Sequence, residues 1–147
     1  MDFSKKYIHV PRMPVMFDGS MLNWLPVVRY LGIYLDKRLT FRHHLKDQMF
    51  PRLDKMIKSL YPFISRRSKL NVKCKLVLYK ACFWGTMLYA HKVWRDCAKS
   101  HIIALQRRQN AILKMMLNLP YFTSTREVHE LAGIQMVSDR IGRSRTC

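Results

Sequence analysis

Between Tyr7 and Leu35 the apolar residues come in short runs, YIHV, VMF, MLNWL and VVRYLGIYL, broken by polar and turn-forming positions. Runs of that length predict short strands. Asp18-Gly19 between two of them predicts a tight hairpin, because both residues tolerate the positive φ of a type I′ turn. Two or three strands are expected. Pro11, Pro14 and Pro26 each lack a ladder donor and belong at strand ends or edges, which argues against a long central strand.

After Asp36 the apolar spacing lengthens from two to about three and a half residues. Leu45, Met49, Leu53, Met56, Ile57 and Leu60 fall on one helical face, with Arg42, Lys46, Lys55 and Lys58 elsewhere. Pro51 interrupts the run, and an interior proline costs about 3 kcal/mol, so two short helices or one bent one are expected. A second helix begins near Ser68 or Asn71, either of which can cap, and runs through Val72, Leu76, Tyr79, Phe83, Met87 and Ala90, weakened at Gly85. From Leu76 onward it carries bulky apolar residues on nearly every side and reads as the central helix of the core. A third opens at Ser100, turns Ile102, Leu105, Ile112, Met116 and Leu119 inward, and is terminated by Pro120. Ser124-Thr125-Arg126-Glu127 is a capping box for a fourth helix, Glu127 to Ala132, closed by Gly133.

The pattern predicts a mostly α chain of α+β class, in which residues 1–41 form a short β-hairpin region and residues 42–147 hold three to four helices. No internal repeat or linker divides it. The basic tail IGRSRTC has no stop signal, and the unit is expected to be truncated at both ends relative to a longer parent.

Charge changes the picture more than size does. Against 27 Lys and Arg stand 9 Asp and Glu, a formal charge of +18, which repels itself in a folded state unless a polyanion neutralises it. Nucleic acid is the partner such a balance favours. Arg66, Arg67, Lys69, Lys73, Lys75 and Lys80 crowd the start of the second helix, and Gln106-Arg107-Arg108-Gln109 lies on the third; both stretches can reach phosphates. Each residue taken singly is an ordinary solvated cation, and the clustering carries the inference.

Catalytic chemistry finds less support. Two-metal phosphoryl transfer needs several carboxylates in one place, and here Asp36, Asp47, Asp54, Asp96, Glu127, Glu130 and Asp139 show no D-x-D or D-D pair. His43 and His44 are adjacent and face different directions on a helix, so they do not share a metal. His9, His91, His101 and His129 lack ligand spacing. Cys74, Cys82, Cys97 and Cys147 form no C-x-x-C pair and are expected to behave as small buried hydrophobes. The amino terminus shows neither secretory nor transit features. The longest apolar stretch, Ala81 to Ala90, is far shorter than the ~20 residues of a membrane span. An intracellular chain, nuclear or in a cytoplasmic ribonucleoprotein, with no membrane association, is expected.

Asp18-Gly19 through Leu45 resembles the segment after the palm of non-LTR retrotransposon reverse transcriptases of the jockey-like, insect-type group, where a V-[KR]-Y-L-G-[VI]-x-L-D-x-x-L-T-[WF]-x-x-H string is typical. Val28-Arg29-Tyr30-Leu31-Gly32-Ile33, Leu35-Asp36, Leu39-Thr40-Phe41 and His44 match it. The similarity continues through Ser68-Lys69-Leu70, Leu76 to Lys80, Tyr89, Trp94, Leu105-Gln106, Gln109-Asn110, Asn118 to Tyr121 and Val128-His129. Pro51, and Tyr89-Ala90 where the family has Tyr-Gly, depart from the pattern.

The resemblance implies that Arg29, Tyr30, Leu31 and Gly32 lie in a primer-grip hairpin at the palm's edge. It also implies that the helices form a thumb holding template RNA and primer DNA. The catalytic Y-A-D-D motif would lie upstream, in the palm and fingers of the parent. No residue here then inherits a catalytic role, no cofactor is expected in this chain, and magnesium serves the parent polymerase. Two other readings stand beside it: an independent basic nucleic-acid-binding module, for which the Tyr30-Leu31-Gly32 hairpin serves no evident purpose, and a transposon remnant without function. If the hairpin lacks the palm it packs on, Trp24, Tyr30, Ile33 and Leu35 should form an exposed apolar patch.

Overall fold

The computed structural model describes residues 13–143. The YIHV run, Pro11, His9 and Cys147 lie outside the described residues. Strands β1 (Val15–Phe17) and β2 (Ser20–Leu22) pair antiparallel with Phe17 opposite Ser20. Asp18 and Gly19 between them hold φ of 48° and 72°, the positive values a type I′ turn requires. The long apolar run that follows folds into a second hairpin of the same kind. Here β3 (Val27–Tyr30) pairs with β4 (Ile33–Asp36), and Leu31 and Gly32 sit in the turn at φ 47° and 79°. A leucine in that region costs roughly 1–2 kcal/mol. The Tyr89 hydroxyl donates to the Leu31 carbonyl at 2.7 Å and holds the turn from 58 residues away.

The chain leaves β4 through a turn organised by one carboxylate. Asp36 Oδ2 accepts from the Thr40 amide and hydroxyl, and Oδ1 accepts from the Phe41 amide at 2.7 Å. Burial alone would raise the Asp36 pKa, but these donors outweigh it and hold the carboxyl below its ordinary value.

The proline expected to split or bend the first helix lies just after a change of helix type. Residues His43–Met49 wind as a π-helix and run directly into α1 (Phe50–Ile64). The Phe50 amide closes the π segment by donating to the Leu45 carbonyl, five residues back, and Pro51, which has no amide proton to donate, follows directly at the changeover from π to α winding. Leu45, Met49 and Leu53 recur every four residues, a spacing that drifts off one face of an α-helix by about 40° per step. The Leu45–Met49 step lies in the π segment, whose wider turn lessens that drift, and all three residues are buried. The helix continues past Leu60 and through Pro62 before it ends at Ile64.

Asn71, one of the two predicted caps, accepts the Lys73 amide and starts α2 (Val72–Leu78). A second π stretch, Tyr79–Trp84, leads into α3 (Gly85–Leu88). Tyr79, Phe83 and Met87 have the same four-residue spacing and are fully buried, whereas Val77 is 66% exposed. This helix therefore lines the core with one face and is not surrounded by it. It stops before Ala90, which takes φ 49° in the left-handed region. A short α4 (His91–Trp94) follows, and Trp94 Nε1 donates back to the Tyr89 carbonyl.

Helix α5 (Lys99–Met116) buries Leu105, Ile112 and Met116 as expected, and also Gln109 and Leu113. It ends before Pro120: Asn118 adopts φ 57°, and the Leu119 amide donates to the Lys114 carbonyl, so the stop is a left-handed cap. Helix α6 (Thr125–Ala132) begins as the capping box predicts, with Ser124 Oγ accepting from the Glu127 amide and Gly133 at φ 60° closing it. A further helix, α7 (Val137–Arg143), has no counterpart in the sequence reading and buries Val137 and Ile141.

One buried cluster joins these elements, and Ile33 and Phe41 belong to it together with Leu53, Tyr79, Trp94, Ile112 and Val137. The core thus runs across residue 41. Ile33 is 7% exposed, and Leu35 and Trp24 are half-buried, so the β3–β4 hairpin packs on its own helices. Both strands of the first hairpin are exposed throughout, with Met16, Phe17 and Met21 largely open. Cys97 is in the core, but Cys82 is half-buried and Cys74 exposed.

Candidate nucleic-acid interface

The β3–β4 hairpin forms one wall of a cavity of about 560 Å³. Arg29 and Gly32 enter it from β3 and its turn, and Tyr34 from β4. His44 and Arg52 come from the first helical run, and Thr86 and Tyr89 from the end of the second. Arg29 stands opposite Tyr34 across the ladder, its guanidinium 5.8 Å from the ring centre, a cation–π contact that fixes its direction. Gly32 lies against the Tyr89 ring, which a Cβ there would meet at 3.5 Å. Tyr30 and Leu31 point outward and are exposed. Two guanidiniums with no carboxylate in the lining make this an anion-favouring cleft. Sequence reasoning names Arg29 but not Arg52 or the anchor Tyr89; the only signal for Tyr89 is its place in the family pattern.

His44 is 5% exposed and neither ring nitrogen has a hydrogen-bond partner. Burial, and then the neighbouring charge of His43, hold its pKa below the ordinary value, so it sits in the cavity wall as a neutral ring beside Tyr34.

The cations expected to meet phosphate do not share one environment. Arg67, Lys69, Lys73 and Lys80 are exposed, the first two on the loop before α2, Lys73 on α2 and Lys80 on the π stretch after it. Lys75 is not among them. It is 2% exposed, with Nζ donating to the Ser65 carbonyl at 2.8 Å, so its ammonium caps the end of α1 and its assignment to the interface is corrected. Arg66 donates to the Asn118 carbonyl at 3.0 Å and brings its loop to the carboxy end of α5. On α5, Arg107 is exposed, whereas Arg108 lies over the Phe50 ring at 4.1 Å and pairs with Asp54.

The flanking glutamines also turn inward. Gln109 Nε2 donates to the Gln135 carbonyl while its Oε1 accepts from the Val137 amide, and Gln106 Oε1 accepts from the Ser138 amide. They are structural. His129 joins them, with Nδ1 donating to the Ile134 carbonyl and Nε2 beside Asn110.

Among the described residues, no group of three His, Cys, Asp or Glu side chains comes together, and no helix is long and apolar enough to cross a membrane. The carboxylates are dispersed into local pairs, Asp47 with His43, Asp54 with Arg108 and Glu130 with Arg126.

The described residues thus place a β-hairpin beside a cationic cleft, followed by helices with exposed cations. The chain is similar to RNA-directed DNA polymerases of mobile elements. It is 29% identical, over 96% of its length, to the probable RNA-directed DNA polymerase from transposon BS of Drosophila melanogaster. It is 31% identical over 88% of its length to that of the X-element of the same fly, and 26% identical over 86% to that of mobile element jockey. Homologues over most of the chain are therefore non-LTR retrotransposon polymerases. The chain spans 16% of the BS protein and 14% of each of the other two. No protein-family model and no solved structure matches it.

Proposed function

We propose that this chain is the part of a non-LTR retrotransposon RNA-directed DNA polymerase that grips template RNA and primer DNA, with catalysis supplied by the palm of the parent protein. In this reading the Arg29-Tyr30-Leu31-Gly32 hairpin is the primer grip and the helices from His43 onward are the thumb. Magnesium acts in the parent's palm. The observation that carries the reading is the hairpin itself, held against the helices by Tyr89 and bordering a cleft that receives Arg29 and Arg52. The exposed cations on the loop before α2, on α2 and on α5 would neutralise backbone phosphates without reading bases.

The test is binding of the purified chain to a primed RNA–DNA hybrid across a salt titration. With about five phosphates neutralised, log K should fall against log salt with a slope of roughly −4. A slope near zero would remove the phosphate-based account. Added magnesium and nucleotides should yield no primer extension, and template-dependent synthesis by this chain alone would overturn the division of labour.

A further inference from the structure

The turn between α5 and α6 presents two aromatic rings to solvent. Tyr121 is 89% and Phe122 75% exposed, with ring centres 5.5 Å apart at 82°. Exposing two adjacent rings forgoes the burial that would stabilise the fold, and the turn that carries them is well tied. Lys114 Nζ donates to the Tyr121 carbonyl at 2.6 Å, the Thr123 hydroxyl and amide donate to the Pro120 carbonyl, and Arg66 donates to the Asn118 carbonyl. The rings are thus displayed by anchored backbone.

Tyr121 also borders a groove of about 440 Å³ lined by Arg107, Asn110, Ala111, Lys114 and Leu119, with no carboxylate in the lining. Arg107 is one turn of α5 from Ala111 and two from Lys114, so both cations edge the same groove. Lys114 has three donors and uses one on the Tyr121 carbonyl, which leaves others for an anion.

We propose that Tyr121 and Phe122, with Arg107 and Lys114 alongside, form a stacking platform for unpaired bases of a single-stranded nucleic acid. The inference rests on the nucleic-acid-gripping reading above and assigns a single-strand subsite to it. Perpendicular rings suit splayed bases: one base stacks on a ring face while its edge meets the second ring. The cations hold the backbone that carries it. A base-paired duplex offers a free base face only at its two ends, so the platform discriminates by strandedness and not by sequence.

The experiment compares binding of the full chain to a short mixed-sequence single-stranded RNA and to a blunt duplex of the same sequence. Tyr121→Ala with Phe122→Ala should lower single-strand affinity roughly tenfold to a hundredfold and leave duplex affinity and melting temperature unchanged. Tyr121→Phe should bind the single strand like the parent chain, whereas Tyr121→Leu, which keeps apolar surface but loses the aromatic face, should not. Arg107→Ala should weaken single-strand binding and flatten its salt dependence. An unaltered single-strand affinity in the double variant overturns the platform, as does equal loss on the duplex or a leucine variant as good as the phenylalanine one. Failure of the unsubstituted chain to bind either nucleic acid would instead overturn the gripping function on which the platform rests.

Discussion

Lys75 and Lys73 stand two positions apart in the densest cationic stretch, yet the fold uses them in opposite ways. Replacing Lys75 with methionine keeps the aliphatic stem but removes the charge-assisted bond to the Ser65 carbonyl, which keeps only the longer one from the Ser68 amide at 3.2 Å, a loss of about 1–2 kcal/mol. Lys75→Met should therefore lower the melting temperature and leave the salt-dependent affinity intact. Lys73→Ala or Lys80→Ala should reduce the salt slope by about one and leave the melt alone. A Lys75 variant that loses affinity at full stability would return its ammonium to the phosphate contacts.

Asp36 gives a second test, this time against pH. Its carboxyl is held below the ordinary value in the fold, so the unfolded chain binds the proton more readily in acid. The stabilisation is complete above the unfolded carboxyl pKa of about 3.9 and is lost as pH falls through the lower folded value. Asp36→Ala should destabilise the chain near neutrality by about 2 kcal/mol and narrow its stability advantage over the variant in strong acid. Parallel urea melts of both proteins from neutral to acid pH would show this, and a stability difference that does not shrink would contradict it.

At the scale of elements, the β1–β2 turn was legible because Asp-Gly favours a type I′ turn, and the box at Ser124 announced α6, whereas the Leu31-Gly32 turn lies inside an apolar run that reads as one strand and entered only through the resemblance. The π stretches were not legible, because a 3.6-residue template scores four-residue spacing as slight drift; only Leu45-Met49-Leu53 and Tyr79-Phe83-Met87 taken together reveal a wider turn. Lys75 could have been placed, since it stands four residues before the buried Tyr79 on the same helical face. Helix α7 escaped because its first amides are accepted by Gln106 and Gln109, about thirty residues upstream. Of the cleft, Arg29 and Gly32 were visible in the pattern, whereas Arg52 and Thr86 come from elements that only the tertiary fold brings to it.

The Tyr-Gly to Tyr-Ala departure now has a physical meaning: Ala90 occupies the left-handed region where glycine carries no Cβ penalty. Ala90→Gly should stabilise the chain by about 1 kcal/mol, raising the melting temperature by a few degrees. A lower melting temperature would show that the helix break is maintained by something other than this residue's conformation.

For the molecule as a whole, the shared core from Ile33 to Ile141 favours a single cooperative transition, and both strands of the β1–β2 hairpin are exposed along their whole length. Self-association should therefore trace to that hairpin. Phe17→Glu combined with Met21→Lys should reduce it in sedimentation experiments without lowering the melting temperature; an unchanged association state would shift attention to Tyr30 and Leu31. The charge of +18 opposes the folded state until polyanion arrives. Nucleic acid at a hundred times its Kd should add about 2.7 kcal/mol to stability.

The glutamine caps also set an order of events. The Val137 and Ser138 amides are held by side chains that reach their positions only once α5 is formed, so α7 has no independent existence as a helix. In hydrogen–deuterium exchange those two amides should report the opening of the α5–α7 contact and not the fraying of a terminal helix. Gln109→Leu should accelerate exchange at Val137 by roughly one to two orders of magnitude, the rate equivalent of the ~1–3 kcal/mol left by an unmatched buried amide. Protection at Leu105 and Ile112 should persist. The carboxy-terminal turn would then be the first part of the domain to open, and proteases would reach it there before the core yields.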